Sequence, residues 1–116
     1  MAGKYALFAF NGEAMCFVHV LLNALDLAAR GHEVQIVVEG AACGLVPKFT
    51  EAGSPLAPLW SQARDKGLVA GVCRACAAKL GTLTAAEAQG LPLLADMQGH
   101  AGMGAFIDRG FTIITF

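Results

Sequence analysis

The hydrophobic residues of this chain fall into short unbroken runs that alternate with longer stretches of helical spacing. Tyr5 to Phe10 is apolar throughout and stops at the turn pair Asn11-Gly12, the pattern of a strand buried on both faces. From Ala14 to Arg30 the polar residues His19, Asn23, Asp26 and Arg30 recur at spacings of four, three and four. They mark one wet stripe of a helix whose other faces are apolar, and Gly31 supplies its stop. Val34 to Val38 is β-branched apart from Gln35 and leads into Glu39-Gly40, which completes a β-α-β unit.

The same alternation continues to the end. Ala42 to Ala52 predicts a helix ending at Gly53, and Pro58 to Lys66 predicts another before Gly67, with Ser54-Pro55 as the break between them. Leu68 to Val72 is expected as a third strand running straight into Cys73, and the Ala-rich Arg74 to Leu80 as a helix stopped by Gly81. Thr84 and Glu87 have capping-box spacing over a short helix that Gly90 closes. Leu91 to Ala95 reads as a fourth strand despite Pro92, Gly99 to Arg109 as a helix weakened by Gly102 and Gly104, and Phe111 to Phe116 as the closing strand. This order predicts one α/β domain over 1–116, a three-layer α/β/α sandwich on a mainly parallel sheet of four to five strands with right-handed crossovers.

Composition changes the picture in one respect. Hydrophobic residues make up 56% of the chain and charged residues 15%, against about 25% charged in an average soluble domain. A membrane span needs about 20 uninterrupted apolar residues, and Asn11, His19, Asn23, Asp26 and Arg30 punctuate the most apolar region. The excess therefore predicts a soluble homo-oligomer without a membrane span. A net charge of -1 and a pI near 6.2, with no cluster of Lys or Arg, exclude a nucleic-acid partner. The first apolar run ends without the small-residue cleavage site of a secretory signal, so a cytoplasmic location is expected. There the four cysteines are reduced thiols, ligands or reactive groups rather than a disulfide framework.

Ligands of open parallel sheets bind beyond the carboxyl ends of the strands. That places Asn11 to Glu13, Glu39 to Gly44, Cys73 to Cys76 and Asp96 to His100 on the candidate surface. Cys73 stands first among them. A thiol at the start of a helix lies near unpaired backbone N–H groups, and Arg74 adds positive charge, so the thiolate is favoured; the competing role is that of a small buried hydrophobe. Cys76 completes a Cys-x-x-Cys pair that serves as a resolving thiol, half a zinc site or plain packing. A structural zinc site needs four ligands, and only Cys43, His100 or His32 is in place to extend the pair, so neither a metal nor another cofactor is expected. Cys43, in the Gly40–Gly44 turn, faces the same crevice. His100 is a proton donor or anion contact, and Asn11 and Gly12 complete the substrate-binding group. Cys16 falls within the first helix, and His19 and His32 read as surface and turn residues. Dinucleotide and phosphate-loop signatures are missing.

Four segments, in order, carry a resemblance to a known family: Tyr5-Ala6-Leu7-Phe8-Ala9-Phe10; Gly31-His32-Glu33-Val34; Gly67-Leu68-Val69-Ala70-Gly71-Val72-Cys73 with its helix to Gly81; and Gly110-Phe111-Thr112-Ile113-Ile114-Thr115-Phe116. Over nearly its whole length the chain resembles the DsrE/DsrF-like family of TusD/YchN-like sulfur-relay proteins. The resemblance implies a flavodoxin-like fold, assembly as a trimer or hexamer, and sulfur held as a persulfide on Cys73 between a donor and an acceptor protein. Cys76 departs from the commoner single-cysteine pattern, so a persulfide on Cys73 is open to displacement as an intramolecular disulfide. Three roles follow: a sulfur carrier or sulfurtransferase, a non-catalytic oligomeric small-molecule-binding or redox-sensing protein, and a zinc module built on Cys73 and Cys76.

Overall fold

The apolar runs do pair into one sheet. In the computed structural model, which describes residues 2–116, strands β1 (Lys4–Ala9), β2 (Glu33–Val38), β3 (Val69–Cys73), β4 (Leu93–Leu94) and β5 (Thr112–Thr115) are all parallel, in the order β4-β3-β2-β1-β5. Ala6 to Ala9 and Ile36 to Val38 are buried on both faces of the sheet, which is why they read as continuous hydrophobic runs rather than alternating ones.

This strand order dictates where the helices go. The steps β1 to β2, β2 to β3 and β3 to β4 move the same way across the sheet, so right-handed crossovers put their connections on one face; the step from β4 back to β5 reverses and lands on the other. Accordingly α1 (Ala14–Ala29), a 3-10 segment (Gly40–Phe49), α2 (Ala57–Asp65), α3 (Arg74–Lys79) and α4 (Leu83–Ala88) pack against one another on the first face. The short α5 (Gly104–Asp108) covers the second, setting Phe106 edge-on against Phe8 at 5.6 Å. The result is a flavodoxin-like three-layer sandwich with unequal outer layers. On the thick side Phe49 stacks on both Trp60 (3.9 Å between centroids) and Phe17 (4.9 Å), and all three rings are buried.

The α1 stripe is as expected: His19, Asn23, Asp26 and Arg30 are exposed, and Arg30 and Asp26 form an ion pair at 2.9 Å. Elsewhere local chemistry shortens the elements. The helix expected over Ala42 to Ala52 is the 3-10 segment, where Pro47 lacks the N–H that an α-helical ladder needs. Thr84 lies inside α4 rather than capping it; the turn begins at Thr82, whose hydroxyl donates to the carbonyl of Cys43 at 2.8 Å. The fourth strand is only two residues long because Pro92 has no N–H, and only its carbonyl joins the sheet, accepting from Val72 N–H at 2.9 Å. The helix expected from Gly99 to Arg109 begins only at Gly104. Among the described residues no helix is long and apolar enough to cross a membrane.

Candidate functional site

Between β3 and β4 the chain parts: β3 leads into α3 on the thick face, and β4 leads by a loop into α5 on the thin one. A crevice opens at the carboxyl edge of a parallel sheet where neighbouring connections diverge in this way. Four groups meet there, Glu39 from the end of β2, Cys73 from the end of β3, Cys76 from α3 and His100 from the loop after β4, with one ligand atom of each within 4.8 Å of all the others.

Each side chain arrives for a local reason. Strand β3 pairs Val69 with Ile36, then skips Ala70, so that Gly71 pairs with Val37 and Val72 with Val38. Glu39 and Cys73 therefore lie side by side, one residue beyond the last pair. Without this bulge Val72 would take that place and the thiol would fall on the other face of the sheet, because side chains alternate along a strand. Only glycine fits at the bulge: a Cβ on Gly71 would lie 2.5 Å from the carbonyl oxygen of Pro92, just before β4. Cys76 follows Cys73 by nearly one helical turn and so returns to the same side. His100 is delivered by a two-residue hairpin turn. Met97 and His100 exchange both backbone hydrogen bonds (2.9 and 3.0 Å), while Gln98 and Gly99 have φ of 51° and 89°, the type I′ pattern. Gln98 is the one non-glycine residue with positive φ among those described, and the α3 amide of Ala75 ties the turn down by donating to Gly99 O at 3.0 Å.

The His100 imidazole faces both sulfurs, with Nδ1 at 3.3 Å from Cys73 Sγ and 3.6 Å from Cys76 Sγ. Cys76 Sγ is 3.9 Å from Glu39 Oε1. Glu39 is only 5% exposed, and both ion pairs among the described residues, Arg30 with Asp26 and Arg64 with Asp65, lie elsewhere. Cys43 sits behind the cluster as an outer layer, its thiol donating to Val38 O at 3.5 Å and Cys73 O at 3.9 Å. Burial, reinforced by the negative groups around it, pushes the Cys43 thiol up to about 12. The Cys73 thiol is also pushed up to about 12, first by burial and then by its hydrogen bond to Glu39. The N–H groups of Cys76 and Ala101 pull the other way and are outweighed. The thiolate that the start of a helix and Arg74 were expected to favour is thus not the resting form of Cys73. Helix α3 has only six residues, and desolvation dominates.

Access is through the neighbours. Cys73 is 0% exposed, whereas His100 is exposed and Cys76 half-buried. Cys76 lines a cleft of about 290 Å³ with Gly40, Ala41, Lys79 and Leu80. A larger cleft, lined by Pro47, Thr50, Arg64, Ala85, Ala88 and Gln89, contains no thiol. Of the other sequence candidates, Asn11 accepts from Glu13 N–H at 2.8 Å and turns the chain into α1. Gly12 allows that loop to lie against Ala41, whose carbonyl oxygen would be 3.0 Å from an added Cβ. Both shape the loops beside the cluster rather than enter it. His32 is drawn away, accepting from Gly3 N–H at 2.8 Å and lying edge-on to Tyr5. Glu39 is the member that sequence reasoning left among flanking residues. Its signal was a carboxylate placed directly after an apolar strand, at the edge where sites form.

No protein-family model matches the chain, and no solved structure matches it. The uncharacterized protein MJ0733 of Methanocaldococcus jannaschii is 30% identical over 97 residues, covering 84% of this chain and 77% of that protein. An uncharacterized protein of Archaeoglobus fulgidus is 39% identical over 51 residues, covering 44% of this chain and 84% of its own length. With identity spread over most of both chains in the first pair, this chain belongs to one family with the Methanocaldococcus jannaschii protein MJ0733.

Proposed function

We propose that this chain is a sulfur carrier or sulfurtransferase-like protein of the DsrE/DsrF-like kind that takes up sulfur at Cys76 and holds it on Cys73. The observation that carries the reading is the convergence of two sulfurs on one imidazole nitrogen, at 3.3 and 3.6 Å, beside an open cleft. The approachable thiol is Cys76, with Lys79 as the charged residue of its cleft.

In the first step His100 Nδ1 accepts the Cys76 proton and the thiolate attacks the outer sulfur of a donor persulfide. A bond forms from Cys76 Sγ to that sulfur, the donor S–S bond breaks, and the donor leaves as a thiolate that recovers the proton. In the second, Cys73 attacks the terminal sulfur of Cys76-S-SH. The persulfide moves to Cys73 and the Cys76 thiol is regenerated, with no net oxidation. On Cys73 the sulfur is shielded from water, and the reverse steps deliver it to the thiol of an acceptor protein. Attack by Cys73 on the inner sulfur instead expels sulfide and closes a Cys73–Cys76 disulfide, the redox-sensing variant. Assembly as a trimer or hexamer in the cytoplasm belongs to the same reading.

The test is incubation of reduced protein with a low-molecular-weight persulfide, followed by intact and peptide mass. Wild-type protein gains one sulfur, Cys16→Ser does too, and Cys76→Ser does not. An unmodified wild-type protein, or sulfur located on Cys16, defeats the proposal; loss of two hydrogens without gain of sulfur assigns the disulfide variant instead.

A further inference from the structure

Sulfur exchange between two thiols and an imidazole gives no work to Glu39. Yet Glu39 is 95% removed from solvent, no Lys or Arg among the described residues pairs with it, and its carboxylate is aimed at the two cysteines. A buried carboxylate without a cation is costly. The groups around it are themselves ligands rather than counter-charges.

The spacing of the four donors can be compared with a metal polyhedron. Zinc bonds of about 2.3 Å to sulfur and about 2.0–2.2 Å to nitrogen or oxygen give tetrahedral edges of about 3.5 Å for S···N or S···O and about 3.8 Å for S···S. All six donor pairs lie within 4.8 Å, and three of these edges are 3.3 Å from Cys73 Sγ to His100 Nδ1, 3.6 Å from Cys76 Sγ to the same nitrogen, and 3.9 Å from Cys76 Sγ to Glu39 Oε1. Each of these three lies within about 0.4 Å of the tetrahedral value. The four donors come from the ends of β2 and β3, from α3 and from the hairpin turn that Ala75 ties down, so a modest contraction brings them onto one ion. Two thiolates and an imidazole select a thiophilic borderline cation over calcium or magnesium.

We propose that Glu39, Cys73, Cys76 and His100 together bind one thiophilic divalent cation, Zn²⁺ in the first instance, in a closed tetrahedral site. The two thiols release their protons to water as the ion binds. The buried Glu39 carboxylate then has its cation, and the protein has a folded state whose loop after β4 is fastened to α3 through metal as well as through Ala75. Metal-bound thiolates are not free to accept sulfur, so ion and persulfide compete for Cys76. Geometry alone brings the four donors together, and metal binding there does not require sulfur transfer.

The test uses the full chain, reduced and stripped with a chelator, titrated with Zn²⁺ against a chromophoric competitor and separately with Co²⁺. One Zn²⁺ per chain is expected. Cobalt should give the visible bands of a tetrahedral ion together with thiolate-to-cobalt charge transfer. Ligand loss should exceed the ~10–100-fold affinity cost of losing an outer-shell partner, so His100→Ala, Cys76→Ser and Glu39→Gln each weaken zinc by about 100-fold or more. Cys76→Ser also lowers the charge-transfer intensity by about half, since one of two thiolates remains. Cys16→Ser, in α1, binds as wild type. His100 is exposed, so His100→Ala keeps the test meaningful if a cysteine variant does not fold. Less than one tightly bound zinc per chain, octahedral cobalt bands, or wild-type zinc affinity in Glu39→Gln overturns the site. Zinc binding with no persulfide uptake by metal-free protein leaves this site standing and removes the sulfur reading; uptake without zinc binding does the reverse.

Discussion

Gly71→Ala tests whether the β3 bulge couples the fold to the site. An added Cβ meets Pro92 O at 2.5 Å, Leu94 Cγ at 3.0 Å and Pro92 C at 3.2 Å, on a backbone whose φ of 156° side chains rarely adopt. To bring the first contact out to 3.0 Å, β4 must retreat by about 0.5 Å. Pro92 O is also the acceptor for Val72 N–H at 2.9 Å, so the same movement stretches that bond to about 3.4 Å, beyond the useful range. Overpacking costs about 1–3 kcal/mol, and a weakened hydrogen bond adds up to about 1 kcal/mol. Replacing glycine returns about 0.4–1 kcal/mol through the unfolded chain. The net expectation is a loss of about 1–3 kcal/mol.

The assay is urea unfolding followed by far-UV circular dichroism and by the fluorescence of Trp60, with zinc titration of the folded variant. Because β4 carries the turn that presents His100, zinc affinity should fall about 10–100-fold, as for an outer-shell change. Gly31→Ala is the control. That residue ends α1 at φ 91° with nothing within 4 Å of an added Cβ, so it should lose about 1 kcal/mol from backbone strain alone and bind zinc as wild type. Gly71→Ala within about 0.5 kcal/mol of wild type would refute the close approach. A clear loss of stability with unchanged zinc affinity would refute the coupling.

Further outcomes are expected at the thiols, at Trp60 and in the hairpin turn. In reduced, metal-free protein at mildly alkaline pH, iodoacetamide should label Cys76, while Cys43 and Cys73, both 0% exposed with thiols pushed up to about 12, label only on unfolding; peptide mapping that finds Cys73 labelled as fast as Cys76 contradicts the inner-thiol assignment. Trp60 Nε1 is buried without a hydrogen-bond partner, so Trp60→Phe, which removes that orphan along with some packing, should fall within about 1 kcal/mol of wild type by chemical unfolding. Trp60→Ala should cost about 3–5 kcal/mol. Gln98→Asn, which eases the left-handed turn position at φ 51°, should stabilise by about 0.5 kcal/mol at unchanged m-value, and a loss of stability would contradict the turn type.

The parallel α/β plan was legible because its central strands β1, β2 and β3 carry runs buried on both faces and its helices are buried on one, which writes two different periods into the residues. Cys73 was legible as a site position for the same reason: an apolar run ending in a thiol marks the carboxyl edge of the sheet. What escaped was set by contacts between segments far apart in sequence. Pro47 and Pro92 mark local interruptions, but how far each element shrinks depends on which donors the rest of the sheet requires. Burial and the hydrogen bond to Glu39 hold Cys73 as a thiol, and nothing in the spacing of Cys73 and Cys76 reports either.

The pairing of Glu39 with Cys73 shows the distinction most sharply. Its cause is one extra residue, Ala70, accommodated beside a glycine that lets β4 come close. A bulge leaves no mark in hydrophobic periodicity when both faces of a strand are buried, since every register then looks equally apolar. Yet that single step of parity decides whether a carboxylate faces a thiol or a valine at the edge of the sheet. The strand order then supplies the remaining two groups, because the same divergence of β3 and β4 that opens the crevice sends α3 to one side with Cys76 and the hairpin turn to the other with His100. The chemistry of the site is thus a consequence of topology acting on a bulge, and a chain with the same four residues and no bulge would hold its carboxylate and its inner thiol on opposite faces.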